Sequence, residues 1–390
     1  MSIYKEIQAM HAEMRQWRQH FHQFPETAFE EINTSQFISS KLKSFGLEVH
    51  QGLAKTGVVA SLSAGSSDKK IALRADIDAL FIEEKNELPY KSKNPGKMHA
   101  CGHDGHSAML LGAAKYLANH VDFDGTVYFI FQPAEEGRAG AKQMIDEGLF
   151  ELFPADCVFG LHNFPDVALG HFAIKPGPMM ASFDCFEITL SGQGTHAAMP
   201  HLGNDVLVAA AQIITAIQTV VSRNINPADP AVLSITQIHA GNTWNAIPDS
   251  VLLRGTYRCF NSDVQQLIEE KLMQIVDSIA QGFSVTAQLI INPENAGYPV
   301  TSNTAAETAI AIEVAQALVG VDNVDLNPQP SMGSEDFSFM LQEKPGCYVW
   351  LGNGSSAGDC LLHNPHYDFN DEILTVGASY WVKLVESILK

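Results

Sequence analysis

The sequence predicts an α/β protein whose mixed, mostly parallel sheet is flanked by helices, with an inserted ferredoxin-like α+β domain. Three observations carry this prediction. Short apolar segments alternate with helical patterns over the first 180 residues, the middle of the chain follows the order β-α-β-β-α-β, and the α/β pattern returns after about residue 293.

The first α/β segment contains three apolar runs that read as buried strands, over residues 71–76, 126–131 and 157–161, with a helix over about 105–120. In parallel sheets, ligands gather at the carboxyl ends of the strands. Near these ends we find four carboxylates and one imidazole. They are Asp76, Asp78, Glu135, Glu136 and His162.

The middle segment predicts a domain of its own over residues 183–292. Its strands are expected near 183–190, 232–239, 251–260 and 285–291, and its helices over about 204–222 and 263–281. The flanking residues 1–182 and 293–390 would then form one domain. Its later part should hold a helix over 304–318, a strand over 347–351 and a terminal helix over 381–389.

Composition excludes several classes of protein. The 390 residues carry 24 Lys+Arg against 44 Asp+Glu, and the resulting formal charge of −20 repels nucleic acid and anionic membranes. The N-terminus lacks the apolar core of a signal peptide, and we expect no segment of about 20 apolar residues. Six scattered cysteines suit a reducing compartment. We therefore expect a soluble, cytoplasmic protein with no nucleic-acid or membrane partner.

The segment 99–106 holds four sulfur or imidazole groups: His99, Cys101, His103 and His106. The alternative to a functional site is a polar loop with a buried cysteine. Such close spacing instead favours a metal site on the loop before the predicted helix, where a thiolate can bridge two ions.

Glu135 and Glu136 follow a strand, after Pro133 and before Gly137. Adjacent acids are often only a solvated pair, but a strand end favours a division of labour in which one binds metal and the other accepts a proton from water. The spacing of the two glutamates does not show which one binds the metal and which one accepts the proton. His162 ends the next strand, and spacing alone gives no role to the distant His363.

Three competing motifs are weaker. Residues 354–358 match a G-x-S-x-G nucleophile elbow, but no helix start follows. Residues 192–197 imitate a dinucleotide-binding loop that Pro200 and Gly203 then interrupt. Cys101 and His103 could form a thiol nucleophile and its base, which would leave Glu135, Glu136 and His162 without a purpose.

At these residues the chain resembles the dinuclear metal-dependent aminoacylase and carboxypeptidase family, in its hippurate hydrolase and indole-acetyl-amino-acid hydrolase branch. The resemblance covers essentially the whole chain. The matching segments are RADIDAL at 74–80, HACGHD at 99–104, QPAEEG at 132–137, GLHN at 160–163, GTHA at 194–197, MGSEDF at 332–337 and HNP at 363–365.

The resemblance implies site roles that spacing could not assign. It makes Glu135 the general base and Cys101 the bridging ligand, and it makes the inserted domain a lid whose His196 stabilises the oxyanion in its own or a partner's active site. Asn245 and Arg258 on the lid would hold the substrate carboxylate, and Asp76, Asp78 and Asp104 would support the ligands from behind. The implied metal ligands are Cys101, His103, Glu136, His162 and His363.

We therefore expect a metal-dependent amidohydrolase that cleaves N-acyl amino acids, such as hippurate or N-acetyl amino acids. Two divalent ions per subunit, manganese or zinc with cobalt or nickel as alternatives, would activate the water, and the chain would form a homodimer or higher homo-oligomer. The alternatives are a metallo-exopeptidase or dipeptidase, a deacetylase of N-acetyl-diaminopimelate, and a metal-binding sensor without catalysis.

Overall fold

The computed structural model describes residues 3–293, 297–354 and 360–390. It divides into two compact units. Unit 1 comprises Met1–Met179, Thr301–Gln329 and Asp336–Lys390, and unit 2 comprises Met180–Val300 and Pro330–Glu335. The predicted catalytic and lid roles of such units stay predictions.

The strands are β1 Glu48–Leu53, β2 Gly57–Ala64, β3 Lys70–Asp76, β4 Gly125–Gln132, β5 Cys157–Phe164, β6 Phe172–Ala173, β7 Gly177–Met180, β8 Asp184–Ser191, β9 Thr195–His196, β10 Ala231–Ala240, β11 Ala246–Ile247, β12 Ser250–Cys259, β13 Thr286–Ile291, β14 Thr301–Asn303, β15 Val324–Asp325 and β16 Gly346–Gly352. The helices are α1 Lys5–Ala9, α2 His11–Gln23, α3 Ile32–Ser44, α4 His103–Asn119, α5 Glu135–Arg138, α6 Gly140–Asp146, α7 Leu149–Leu152, α8 Val206–Thr219, α9 Ser262–Gly282, α10 Ala305–Val319, α11 Phe337–Glu343 and α12 Leu374–Ile388.

Unit 1 is built on an eight-stranded mixed sheet in the order β1-β2-β4-β3-β5-β16-β6-β15. Its centre, β4-β3-β5-β16, is parallel. These strands are buried along almost their whole length, which explains why they appear in the sequence as continuous apolar runs. The predicted mixed, mostly parallel α/β sheet is confirmed.

Unit 2 contains a four-stranded antiparallel sheet in the order β10-β12-β8-β13, with α8 and α9 as its long helices. The chain passes through β8, α8, β10, β12, α9 and β13, which is the ferredoxin-like order. Alternate residues of β8, Phe186, Ile188 and Leu190, join a core of their own with residues from both helices. Residues 330–335, which the sequence reading gave to the other domain, also belong to this unit.

The stretch through α8, Val206–Asn224, is long and apolar enough to cross a membrane by length and composition, which the sequence reading did not expect. One third of it is buried. Its residues Ala209, Ile213 and Ile217 belong to the core of unit 2. Apolar helices in the cores of water-soluble proteins pass the same test, so the observation is weak evidence for a membrane span.

The structure describes one of the two glycine-containing competing motifs in full. After Gly192, the chain forms the short strand β9 and a single 3-10 turn at Pro200–Leu202, with no helix at the glycines where a dinucleotide-binding loop requires one. Of the G-x-S-x-G motif at 354–358, all but Gly354 lies outside the described residues.

Candidate metal centre

Four segments of unit 1 bring the five predicted ligands together. Cys101 and His103 lie at the start of α4, Glu136 follows β4, His162 lies on β5, and His363 lies in the loop after β16. Cys101 Sγ lies 3.4 Å from His162 Nε2. Glu136 Oε1 lies 3.9 Å from His103 Nε2 and 3.3 Å from His363 Nε2. Residues that are up to 262 positions apart in sequence therefore face one small volume.

Several of these groups are close enough to share an ion. The donor atoms of Cys101, Glu136 and His363 lie within 4.8 Å of one another, as do those of His103, Glu135 and Glu136. A third such group, which includes Asp76 and His106, also contains His103 and His162. Sulfur, imidazole and carboxylate donors in this mixture suit zinc or manganese.

The start of α4 differs from the sequence-based prediction, which placed His103 and His106 on a loop. The helix begins at His103, so both histidines are helical. Gly102 makes this early start feasible, since it has a φ of +96° and a Cβ there would lie 2.1 Å from Asn163 Oδ1. The backbone N–H groups of Gly105 and His106 both donate to Gly102 O. The helix therefore fixes His103 against the sheet edge.

The two buried histidine ligands fit a metal because Nδ1 of each ring has a partner outside the ligand set, while Nε2 faces another predicted ligand. His103 Nδ1 pairs with Asp78 Oδ1 at 3.2 Å, and His162 Nδ1 donates to Asn163 O at 2.7 Å. Among the described residues, His103 Nε2 and Glu136 Oε1 are buried without a hydrogen-bond partner. Buried polar atoms of this kind are costly unless something binds them, and outer partners on metal-binding histidines are usual.

The electrostatics favour a cation. Burial and the neighbouring carboxylates of Glu136 and Glu135 raise the pKa of the Cys101 thiol well above its usual value. Burial and the His106 ring hold the pKa of His162 well below its usual value, so this imidazole is neutral, as a ligand must be. A divalent ion would relieve the repulsion among the acids and displace the thiol proton.

Glu135 and Glu136 lie on a sharply bent turn. Ala134, before them, and Ala139, after them, are in the left-handed region with φ of +57° and +53°. The Glu136 N–H donates to Asp78 Oδ2 at 3.0 Å. Asp78 thus contacts both His103 and the glutamate turn, and it fixes their relative position. The predicted supporting role of Asp78 therefore has a geometric basis.

Sequence reasoning missed the buried charges that support this edge. Arg74 donates to Gln132 Oε1 at 2.7 Å, to Asp76 Oδ2 at 2.8 Å and to Asp336 Oδ1 at 3.1 Å. Burial alone would raise the pKa of Asp76, but His103, His106 and Arg74 outweigh it and hold that pKa well below its usual value. The one signal in the sequence was an arginine inside an otherwise apolar strand.

A second buried network lies behind His103. Asp104 Oδ2 lies 2.9 Å from His22 Nδ1 and 3.5 Å from Arg18 Nε, and Glu84 Oε1 lies 3.2 Å from His22 Nε2. Arg18 also pairs with Asp368. Burial disfavours the charged ring of His22, yet Asp104 and Glu84 outweigh this and raise its pKa to about 9. The histidine is therefore a buried cation that ties α2 to α4.

This network predicts a pH-dependent stability. The His22 pKa rises from 6.5 to about 9 on folding, so the folded state holds the proton more tightly. The stabilisation is complete below about pH 6.5 and is lost as the pH rises through about 9. Between these limits we expect the free energy of unfolding of the wild type, measured with urea, to fall by about 3 kcal/mol. His22→Phe should show little decrease from this source. The exposed His50→Gln variant, as control, should retain the wild-type slope; identical slopes in all three proteins would contradict this.

The three substrate-site candidates lie in unit 2. His196 on β9 pairs with Ala246 on β11, and together with Asn245 it lines an open cavity of about 610 Å³. Arg258 donates to Met332 O at 2.8 Å and stacks at 4.7 Å over the Phe183 ring. The predicted roles, oxyanion stabilisation for His196 and binding of the substrate carboxylate for Asn245 and Arg258, stay predictions.

The comparisons with known proteins decide the family. The model of the peptidase family M20/M25/M40 matches residues 72–387. The chain belongs to the peptidase family M20/M25/M40. The resemblance noted from the motifs is thereby confirmed, and the M20 matches span both units.

Individual M20 relatives are similar over most of their length. The chain is 44% identical to the hippurate hydrolase of Campylobacter jejuni over 100% of both chains. It is 42% identical to the N-acetyl-L-cysteine deacetylase of Bacillus subtilis, over 94% of this chain and 85% of that protein. Among solved structures, it superimposes with a TM-score of 0.85 and 35% identity on a dinuclear metal-binding M20 peptidase of Bacillus subtilis, over 98% of this chain and 99% of that one.

Proposed function

We propose that the protein is a metal-dependent amidohydrolase that cleaves N-acyl amino acids, such as hippurate or N-acetyl amino acids, to a carboxylic acid and a free amino acid. The observation that carries the proposal is the convergence of donor atoms from Cys101, His103, Glu136, His162 and His363. In the described part of the chain, two of these atoms, His103 Nε2 and Glu136 Oε1, are buried without a hydrogen-bond partner. The full-length similarity to a hippurate hydrolase and an N-acetyl-L-cysteine deacetylase supports this substrate class.

These five residues would hold two divalent ions, with Cys101 as the shared ligand. The dinuclear character of the Bacillus subtilis M20 peptidase supports that number. Manganese or zinc suits the donor set, with cobalt or nickel as alternatives. When bound, such ions would polarise the amide carbonyl and lower the pKa of water.

Glu135 would act as the proton carrier. Glu135 is buried, and its carboxylate lies within 4.8 Å of donor atoms of Glu136 and His103. The set of five proposed ligands does not include it. As general base it would take a proton from the attacking water and, as general acid, deliver it to the departing amine. His196 would donate to the developing oxyanion, and Asn245 and Arg258 would hold the substrate carboxylate.

The chain would act as a cytoplasmic homodimer or higher homo-oligomer. Unit 2 exposes large apolar side chains, including Trp244, Ile238 and Leu202, and exposed apolar groups of this size are typical of association surfaces. The charge of −20 argues against nucleic acid as a partner.

A substrate panel separates this function from that of a dipeptidase. Protein loaded separately with manganese, zinc, cobalt or nickel should release glycine from benzoylglycine at least about tenfold faster, in kcat/KM, than from an unblocked dipeptide. Both substrates present an amide and a carboxylate, and of the two only the dipeptide carries a free α-amino group. The reverse preference would favour an exopeptidase, and tight metal binding without any hydrolysis would favour a sensor.

A further inference from the structure

The side chain of Glu31 is completely buried in unit 1, yet it is none of the predicted site residues. One carboxylate oxygen accepts a hydrogen bond from the Ala134 backbone N–H at 3.0 Å. The other accepts from the Thr56 hydroxyl at 2.7 Å. Glu31 lies just before α3 and Thr56 just before β2. The Glu31 carboxylate therefore links both segments to Ala134, the residue before Glu135.

The turn that receives this contact needs external support. Ala134 and Ala139 occupy the left-handed region without being glycine, which costs on the order of 1 kcal/mol each. The Ala134 carbonyl accepts from Gly140 N at 3.0 Å, and this bond closes the turn. On the other side of Ala134, Glu31 accepts the hydrogen bond of its N–H. The backbone angles of Ala134 set the direction in which the next residue, Glu135, leaves the chain.

Glu31 also contributes charge near the metal centre. Burial raises its pKa to about 7, and the nearby carboxylate of Asp78 acts in the same direction. The Glu31 oxygens thus accept hydrogen bonds in a place where the ionised form of the side chain is unfavourable.

We propose that Glu31, held by Thr56, is a positioning residue for the general base: it locks Ala134 in its left-handed conformation and thereby aims the Glu135 carboxylate. The inference rests on the proposed function for its catalytic consequence. Its structural part, the restraint on Ala134, stands independently.

Four variants test the restraint. Glu31→Ala removes both acceptor oxygens, and Thr56→Val removes the hydroxyl that orients the carboxylate. Glu31→Gln keeps one acceptor oxygen for the Ala134 N–H and an amide that can pair with the Thr56 hydroxyl, and Thr56→Ser keeps the hydroxyl. We expect Glu31→Ala to lower kcat on benzoylglycine by about 10- to 100-fold with KM within about twofold, because small displacements of a catalytic group have effects of this size. Thr56→Val should show a smaller decrease of the same kind, and the two conservative variants should remain within about threefold of wild type.

The matched control is Glu26→Ala. Glu26 lies in the same segment, is also buried, and accepts hydrogen bonds from Asn33 and Thr34 at the start of α3, away from Ala134. The Glu26→Ala variant should be less stable than the wild type but should retain the wild-type kcat. An equal loss of kcat in Glu26→Ala and Glu31→Ala would show a general structural effect and overturn the proposal.

A second readout needs no activity. In metal-free protein, hydrogen–deuterium exchange at the Ala134 amide should be at least tenfold faster in Glu31→Ala than in wild type, and close to wild type in Glu31→Gln. Unchanged exchange in Glu31→Ala would overturn the proposal; if this variant does not fold, Thr56→Val decides by the same measurement. If wild type cleaves no N-acyl amino acid, the proposed function fails while the exchange experiment still decides the restraint.

Discussion

Replacing Glu135 with glutamine should lower kcat on benzoylglycine by about 10²- to 10⁴-fold while leaving both metal ions bound, because the amide keeps the shape of the side chain but cannot carry a proton. The effect follows from the position of Glu135 beside Glu136 and His103, whose donor atoms all lie within 4.8 Å of one another. Steady-state kinetics and metal content by mass spectrometry measure the two quantities on the same sample.

The adjacent glutamate provides the matched control. Glu136→Gln should lose bound metal, because Glu136 Oε1 faces both His103 and His363. The two variants thus differ by one position and should fail in different ways. A Glu135→Gln protein with near wild-type kcat, or one that loses metal as Glu136→Gln does, would contradict the assignment of the base.

Replacing Arg74 with methionine should destabilise the protein by about 3–5 kcal/mol, because it removes the buried guanidinium that pairs with the buried carboxylates of both Asp76 and Asp336. The side chains of all three residues are almost completely buried, so water cannot take over this role. The change should appear as a lower urea midpoint in metal-free protein.

The control for Arg74 is an exposed ion pair. Arg254 and Glu187 are paired on the four-stranded sheet of unit 2, where 45% of the arginine side chain is exposed. Arg254→Met should cost no more than about 1 kcal/mol, as exposed pairs do. Equal midpoints for the Arg74 and Arg254 variants would show that the buried network does not stabilise the sheet edge.

Much of this architecture could be predicted from the sequence because the apolar patterns are long and regular. The buried strands β3, β4 and β5 read as continuous apolar runs, and β8 alternates strictly, as a strand with one buried face must. Strand ends then indicated where Asp76, Glu135 and His162 would gather. The positions of these three residues near the carboxyl ends of the strands were thus predictable from periodicity alone.

The remaining parts depend on contacts between segments distant in sequence, which periodicity does not encode. Glu31 and Ala134 are 103 positions apart, and their hydrogen bond becomes evident only when α3 and the glutamate turn pack together. Helix α4 begins two residues before the predicted start at about 105, because Gly102 takes a positive φ as the residue before the helix, which apolar periodicity does not indicate. His22 and Arg18 lie on helix α2, and only the folded structure shows that both are buried and paired with carboxylates from distant segments.

The most direct test of the account is a metal titration of the metal-free protein followed by the release of glycine from benzoylglycine. Chelator-treated protein should be inactive, and activity should rise with added manganese or zinc and level off at two equivalents per chain. A plateau at one equivalent would contradict the two-ion centre, and hydrolysis by the metal-free chain would contradict metal-dependent catalysis altogether.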